Sequence, residues 1–142
     1  MNTTAIRVST LMREAKTVSE SLSIENALHM IEKDGTEILS VVDEAGLLIG
    51  AVSRSSFIKL LRKEVSSLSE PVWYTDIEKG QKGEMINKIM TTNITTVKPD
   101  ENLDSAIKIM SANGYVLLHV VDDQGKLLGV VKLTDIFEKI LE

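Results

Sequence analysis

Gly125-Lys-Leu-Leu-Gly-Val-Val-Lys-Leu-Thr-Asp-Ile-Phe137 is the stretch of sequence that decides the fold. It reads as a turn glycine, a buried apolar strand, and a Thr-Asp pair where the strand gives way to a helix. A degenerate copy, Gly46-Leu-Leu-Ile-Gly-Ala-Val-Ser-Arg-Ser-Ser-Phe-Ile58, lies 79 residues earlier. The copy keeps both glycines and the strand, but it has Ser56 where the later stretch has Asp135. The chain therefore carries a duplicated unit whose two copies differ at a position with distinctive chemistry.

The likeness between the two copies extends beyond these stretches. When residues 17–61 are shifted by 79, 12 of the 45 positions are identical without a gap. The matches fall on glycines, on a turn Asp and on alternating core positions, and before residue 17 the register slips by one, so that Met12 pairs with Met90. This pattern indicates a tandem duplication. We assign a first repeat to residues 8–63, a linker to 64–84 and a second repeat to 85–142.

Each repeat predicts a helix with a marked beginning and end. Ser23 and Asn102 are the N-caps, and Gly35 and Gly114 stand where a helix C-terminus favours a left-handed residue. Between these signals, apolar residues recur at i, i+3, i+4 and i+7. The stripes are Ile24, Ala27, Leu28 and Ile31 in the first repeat and Leu103, Ala106, Ile107 and Met110 in the second.

A β-hairpin and a second helix follow in each repeat. Apolar runs joined by an acidic, Gly-containing turn predict hairpin strands at 38–43 and 47–52, and at 116–122 and 126–131. The helices that follow, 55–63 and 134–141, carry more apolar residues than one buried face needs. The surplus either packs in the core of the monomer or forms a surface between subunits. The predicted fold class is α+β, with two β-α-β-β-α units.

Composition and charge exclude several classes of protein. The formal net charge is −5 and there is no cysteine, so a general nucleic-acid binder, a disulfide and a Cys-ligated metal site are all disfavoured. The longest apolar runs are too short to span a membrane, and the N-terminus lacks the apolar core of a signal peptide. We therefore expect a cytoplasmic protein that binds neither nucleic acid nor membrane.

No catalytic constellation stands out in the sequence. A Walker phosphate loop, a Gly-x-Ser-x-Gly elbow and a His-Glu-x-x-His zinc motif are all missing. His29 lies opposite the apolar stripe of its helix, and His119 lies in a predicted strand with no partner at metal-binding spacing. The acidic pairs in the hairpin turns are explained by turn formation. We expect neither enzymatic activity, nor a metal site, nor a required cofactor.

Two β-α-β-β-α units, with Val-Val-Asp before the hairpin turn and Gly-Val-Val-x-x-Thr-Asp after it, resemble the cystathionine-β-synthase (CBS) domain family. The resemblance covers nearly the whole chain, although Ser40 and His119 stand where many members have proline. It implies a tandem CBS repeat with pseudo-twofold symmetry, called a Bateman module. Such pairs bind AMP, ADP, ATP or, in some members, S-adenosylmethionine in clefts between the repeats. They commonly form homodimers through the C-terminal helices of both repeats.

The same resemblance implies a regulatory role. Both ends of the chain lie within a few residues of the repeats, so we expect a stand-alone ligand sensor that acts in trans on an effector the sequence does not identify. Two alternatives belong to other classes. One is a pair that has lost ligand binding and serves as a dimerisation or interaction scaffold. The other is a hydrolase or transferase that acts on nucleotides.

The Thr-Asp pair gives the expected site its chemistry. A carboxylate at Asp135 can accept hydrogen bonds from both ribose hydroxyls, as acidic residues do in other nucleotide folds. Thr134 in the first helical turn can offer its hydroxyl to a phosphate, and Lys132 can reach a phosphate from the mouth of the cleft. Each residue also has a plain structural alternative: a first-turn acid for Asp135, an N-cap for Thr134, and an ordinary surface lysine for Lys132.

The family implies further contacts to the adenine. Those from the first repeat come from the strand before its first helix and from the run after that helix, and two more come from the second repeat. The residues at these positions are Lys16, Thr17, Val18, Thr36, Glu37, Ile38, Val116 and Leu117. In the pseudo-symmetric site Ser56 cannot replace a bidentate carboxylate, which costs about 1.5–3 kcal/mol. We therefore expect one good adenosyl site and one weak or empty site.

Overall fold

The computed structural model describes residues 2–66 and 84–142, which form five α-helices and six β-strands. The helices are α1 (Val8–Leu11), α2 (Ile24–Asp34), α3 (Arg54–Ser66), α4 (Leu103–Asn113) and α5 (Leu133–Ile140). The strands are β1 (Thr17–Val18), β2 (Ile38–Val42), β3 (Leu48–Ser53), β4 (Thr96–Val97), β5 (Leu117–Val121) and β6 (Leu127–Lys132). The predicted α+β class and the order of elements in each repeat are confirmed.

Most of the predicted linker at 64–84 lies outside the described residues. At its start, α3 continues as a helix to Ser66. At its end, Glu84 is described, and its carbonyl accepts a hydrogen bond from the Ile24 N–H at 2.7 Å.

The chain forms two compact units, and each contains one repeat together with the segment that precedes the other repeat. The Asp135 unit consists of Met1–Ala15, Ala45–Leu48 and Ile94–Glu142. The Ser56 unit consists of Lys16–Glu44 and Ile49–Asn93. The leading segment of the first repeat therefore packs with the second repeat, and the segment before the second repeat packs with the first.

Each repeat forms a three-stranded sheet. The strand order is β1-β2-β3 in one sheet and β4-β5-β6 in the other, and the short first strand runs parallel to the second in both. In the second repeat β5 and β6 are antiparallel, with Leu117 opposite Lys132. The hairpin turns contain Gly46 and Gly125, each with a φ of +87°, a conformation that favours glycine over residues with a side chain.

The predicted helix boundaries are confirmed in both repeats. The Ser23 side chain accepts a hydrogen bond from the Asn26 N–H, and the Asn102 side chain accepts one from the Ser105 N–H. Gly35 and Gly114 end their helices in the left-handed region. These interactions satisfy backbone groups that a helix end would otherwise leave unpaired.

The prediction of the apolar stripes is wrong at one residue, Leu28. Leu28 on α2 is 46% exposed, whereas Ile24, Ala27 and Ile31 of the same helix are buried. The buried side of α2 is therefore narrower than the sequence pattern suggests, because residues at i, i+3 and i+7 already fill it. On α4 the corresponding Ile107 packs against the core and is partly buried.

Both cores consist of apolar side chains from the sheet, the first helix of the repeat and the leading segment, and the Asp135 unit adds Ile136 from α5. The Asp135 unit buries Val8, Val97, Leu103, Ala106, Met110, Leu118, Val120, Val131 and Ile136. The Ser56 unit buries Ile24, Ala27, Ile31, Leu39, Val41, Val52 and Ile86. Val8 and Ile86 come from the leading segments and are fully buried, so each segment is part of the core that it joins.

Candidate functional site

Asp135 lies in the first turn of α5, directly after β6. Its side chain is only 10% exposed. Both carboxylate oxygens are engaged by Arg13, with 2.6 Å from Nε to Oδ2 and 2.7 Å from Nη2 to Oδ1. Two parallel N–H···O bonds to one carboxylate are the strong, bidentate form of an ion pair. The first-turn position predicted for Asp135 is confirmed, but the sequence did not single out its partner.

The backbone of Arg13 is fixed against β6. The N–H of Arg13 donates to the carbonyl of Val130 at 2.8 Å, and the N–H of Val130 donates back at the same distance. The neighbouring residue on β6 is Gly129, and a Cβ there would lie 2.5 Å from the carbonyl oxygen of Arg13. Glycine is therefore required for the leading segment to approach the strand so closely. This backbone pairing anchors Arg13 where its side chain can reach the first turn of α5.

The guanidinium of Arg13 is the exposed partner of the pair. Its side chain is 59% exposed, compared with 10% for Asp135. The hydrogen bond and the negative charge of Asp135 raise the pKa of Arg13 above its already high ordinary value, so Arg13 is positively charged under all conditions of interest. The guanidinium is therefore the partner that water can reach, whereas the carboxylate is covered.

The other predicted residues of the Asp135 unit lie at the same end of its sheet. Lys132 is the last residue of β6 and pairs with Leu117, and the N–H of Leu133 donates to the carbonyl of Val116 at 2.9 Å. Val116 is 57% exposed. The structure thus brings Val116 and Leu117 together with Lys132, which lies three residues before Asp135 in the sequence.

Thr134 is exposed on the first turn of α5. The helix begins after Lys132, which is the N-cap and makes no capping bond through its side chain. The alternative in which Thr134 serves as the N-cap is therefore wrong, because Thr134 already lies inside the helix. Contact between the Thr134 hydroxyl and a ligand stays a prediction.

The predicted residues of the Ser56 unit lie along one parallel strand pair. Lys16 directly precedes β1, and its carbonyl accepts a hydrogen bond from the Ser40 N–H at 2.8 Å. Thr17 and Val18 form β1, while Thr36 and Glu37 directly precede β2, which begins at Ile38. These residues therefore gather at the β1–β2 pair, and their contact with a ligand stays a prediction.

Ser56 occupies the position of Asp135 in the other unit, and it is buried. Its hydroxyl accepts a hydrogen bond from the Ser53 N–H at 3.1 Å, so the side chain serves the backbone of its own helix start. Thr91 occupies the position of Arg13, because its backbone pairs with Ala51 through two hydrogen bonds of 2.9 Å. The Ser56 unit therefore lacks both members of the charged pair.

His119, predicted to be structural, is 3% exposed in β5. Burial lowers the pKa of His119 to about 4, so the imidazole is neutral at neutral pH. Within residues 2–66 and 84–142, no group of three or more His, Asp or Glu side chains is arranged to hold a metal ion. Over the same residues no helix combines the length and apolarity needed to cross a bilayer.

The elements and the site together define a tandem repeat of two α+β units, only one of which carries a buried carboxylate at the start of its last helix. Comparison with known proteins gives this class its name. The family model for the CBS domain matches twice, at residues 8–63 and 86–142. The chain belongs to the CBS domain family, and the expected tandem CBS repeat is confirmed.

Solved structures of CBS pairs share this fold. The structure of CBSX2 in complex with AMP, a protein of Arabidopsis thaliana, has a TM-score of 0.78 and 23% identity, and the match covers 96% of this chain and 97% of that one. A second CBS domain pair, in complex with 5′-methylthioadenosine and S-adenosyl-L-methionine, has a TM-score of 0.73 and 25% identity. That match covers 94% of each chain.

An enzyme also contains a region similar to this chain. Homoserine O-acetyltransferase of Methanococcoides burtonii is 28% identical over 126 residues, which is 89% of this chain but only 22% of the enzyme. The likeness is therefore to a small part of the enzyme, and this chain matches the CBS family over both repeats.

Proposed function

We propose that this CBS pair binds an adenosine-containing ligand, of the AMP, ADP or ATP class, with its ribose on Asp135. We further propose that ligand occupancy regulates a protein partner in trans. The observation that carries the proposal is the buried carboxylate of Asp135, held in the first turn of α5 beside Thr134 and Lys132. The CBS pair that is 25% identical was solved with two adenosyl compounds, which supports the ligand class.

The chemistry of a ribose suits this carboxylate. The 2′ and 3′ hydroxyls are neighbouring donors, and a carboxylate offers two acceptor oxygens in one plane. Ser56, in contrast, offers a single hydroxyl that already accepts the Ser53 N–H. A hydrogen bond to a charged group contributes about 1.5–3 kcal/mol, so the two positions differ by about ten- to a hundredfold in affinity. We therefore propose one good adenosyl site in each chain, at Asp135.

Isothermal titration calorimetry with AMP, ADP and ATP tests the proposal directly. Asp135→Ala should weaken the best of these ligands by about ten- to a hundredfold. Ser56→Ala is the matched control, since it removes a buried polar group at the equivalent position, and it should leave the affinity unchanged. An Asp135→Ala variant that folds and binds as well as the wild type would rule out the proposed site.

The remaining residues of the site are proposed from the family pattern. Lys132 and Thr134 would meet the phosphate, and the adenine would contact the residues assigned to it in the sequence: Lys16, Thr17, Val18, Thr36, Glu37, Ile38, Val116 and Leu117. A thermal-shift comparison of AMP with GMP tests this assignment, because contacts specific to adenine require stabilisation by AMP and none by GMP. Equal shifts would mean that only the ribose and phosphate are recognised.

We also propose that the chain forms a homodimer through the C-terminal helices of both repeats, α3 and α5. Phe137 and Ile140 on α5 and Leu141 at its C-cap are exposed, with Phe137 at 56%. The equivalent position on α3 is Ile58, which is 55% exposed. Two helices with large exposed apolar side chains at matching positions are typical of a protein-binding surface. The same observation favours the second candidate function, a ligand-free dimerisation scaffold.

Size-exclusion chromatography with light scattering tests the dimer. The wild type should run at twice the chain mass, and a double variant, Ile58→Glu with Phe137→Glu, should run as a monomer. Glu138→Gln, at the adjacent exposed position of α5, is the control and should stay dimeric. A wild type that is monomeric at all concentrations would contradict the proposal. A stable dimer without a thermal shift from any adenosyl compound would favour the scaffold.

A further inference from the structure

Arg13 donates hydrogen bonds to both carboxylate oxygens of Asp135, the same two oxygens that a ribose would need. Its Nε and Nη2 each bond one oxygen of Asp135, at 2.6 and 2.7 Å, so the fork faces the carboxylate edge-on. A pair of vicinal hydroxyls that binds both oxygens of a carboxylate approaches the same edge. The Asp135 side chain is only 10% exposed, so little of the carboxylate is open to a diol while Arg13 holds it. A diol and the guanidinium therefore compete for one carboxylate.

The guanidinium can be displaced at modest cost. The Arg13 side chain is 59% exposed, and water can solvate it when it leaves the carboxylate. Its backbone stays fixed by the two hydrogen bonds to Val130, so a displaced guanidinium remains within one side-chain length of Asp135. A ligand bound through its ribose would thus have a cation beside it. Arg is the side chain best suited to a phosphate, since its fork matches two phosphate oxygens.

Comparison of the two units supports a joint role for the pair. Arg13 corresponds to Thr91, and Asp135 corresponds to Ser56, so the unit that lacks the carboxylate also lacks the cation. The backbone at these positions is the same, with Arg13 paired to Val130 and Thr91 paired to Ala51. A cation needed only to hold the leading segment against the sheet would be equally useful in both units. Its presence in one unit alone links it to the carboxylate.

We propose that Arg13 is a specificity-determining residue of the Asp135 site, which selects anionic nucleotides over neutral nucleosides. This inference rests on the proposed function, because it assumes that a ribose binds Asp135. Any adenosyl ligand must displace the guanidinium from the carboxylate. A 5′-phosphate gives the displaced guanidinium a new partner, whereas a neutral nucleoside leaves it in solvent. Arg13 thus weakens the binding of adenosine, whereas in the AMP complex it contacts the phosphate.

Calorimetric titrations of AMP and adenosine into wild type, R13Q and R7Q test the inference. The wild type should bind AMP at least tenfold more tightly than adenosine. In R13Q adenosine should bind several-fold more tightly than it does to the wild type, and AMP more weakly, so that the preference falls by at least tenfold. R7Q removes the same charge from the same leading segment, at a residue with no bond to Asp135 among the described contacts, and it should keep the wild-type preference.

The outcomes separate this inference from the proposed function. If R13Q changes both affinities by the same factor, Arg13 is only a structural support; the inference is then overturned, and adenosyl binding stands. If neither the wild type nor R13Q binds AMP or adenosine, both proposals fail. R13K is the second variant in case R13Q does not fold, since it keeps the charge but lacks the fork. It should bind adenosine more tightly than the wild type does, and an unchanged adenosine affinity would overturn the inference.

Discussion

The Asp135 unit and the Ser56 unit have the same skeleton but different chemistry. Both have a capped first helix, a left-handed glycine after it, a hairpin glycine with a φ of +87°, and a leading segment that buries one aliphatic residue. Three of the positions that differ concern the charged pair and a buried polar residue: Asp135 against Ser56, Arg13 against Thr91, and His119 against Ser40. The apolar and turn residues that the units share maintain the common fold, while the polar substitutions give the two units different chemistry.

The largest expected effect concerns Gly129 and Gly50, the two glycines that the leading segments approach closely. A Cβ at Gly129 would lie 2.5 Å from the Arg13 carbonyl oxygen, which is backbone held by the sheet. At Gly50 the tightest contact, 2.6 Å, is to the flexible sulfur of Met90. We predict that Gly129→Ala lowers the free energy of unfolding by about 3 kcal/mol and Gly50→Ala by about 1 kcal/mol. Urea unfolding followed by circular dichroism measures both.

Equal losses for the two alanine variants would contradict this account of the glycines. Gly129→Ala should also weaken AMP binding, because it pushes the backbone of Arg13 away from β6. Gly50→Ala, in contrast, should leave ligand binding unchanged, since neither member of the charged pair lies in its unit. The same two proteins therefore report on both stability and the site.

The second expected effect is a pH dependence of the free energy of unfolding, which His119 contributes from the Asp135 unit. The pKa of His119 is about 4 in the folded chain, compared with about 6.5 in an unfolded one, and its sheet partners Thr96 and Val130 carry no charge. Below pH 6.5 the unfolded chain binds a proton that the folded chain does not. The stability contributed by neutral His119 is therefore lost as the pH falls from 6.5 towards 4. Between pH 7 and pH 5 this loss is about 2 kcal/mol.

The matched variant is His119→Ser, which installs the residue found at position 40. Its free energy of unfolding should depend less steeply on pH than that of the wild type, by about 2 kcal/mol between pH 7 and pH 5. The comparison uses the change with pH, so any packing lost with the imidazole cancels. Parallel curves for the two proteins would show that burial of His119 does not govern acid stability.

The smallest effect is one that the two units should share. Ser23→Ala and Asn102→Ala each remove the side-chain acceptor of an N-cap, whose bonds measure 3.1 and 2.9 Å. Each substitution should cost about 1 kcal/mol of unfolding free energy. Thermal or urea unfolding of the two variants tests the equivalence. A cap that costs nothing in one unit would show that the skeletons are not energetically alike.

Much of the fold could be predicted from the sequence because its signals are local. Caps, left-handed glycines and hairpin turns are set by a few neighbouring residues, and the duplication shows each signal twice. The exposure of Leu28 could not be predicted, because periodicity gives a helix face but not the width of the surface that covers it. Packing between elements decides that width.

The candidate site was predictable only in part. Asp135 stands out because a Thr-Asp pair follows a buried strand, and its copy has Ser56 instead. Arg13 lies 122 positions away from its partner, so no local pattern connects the two residues. The signal was present in the one-residue slip of register that pairs Met12 with Met90, because it aligns Arg13 with Thr91 and reveals a second charge that changes along with Asp135.

The number of nucleotides bound per chain tests the difference between the two units most directly. Calorimetric titration of AMP into the wild type and into Asp135→Ser, which makes the two units alike at this position, measures both the stoichiometry and the affinity. We predict one site per chain in the wild type and binding weaker by about ten- to a hundredfold in Asp135→Ser. Two equal sites per chain, or an unchanged affinity in Asp135→Ser, would contradict it.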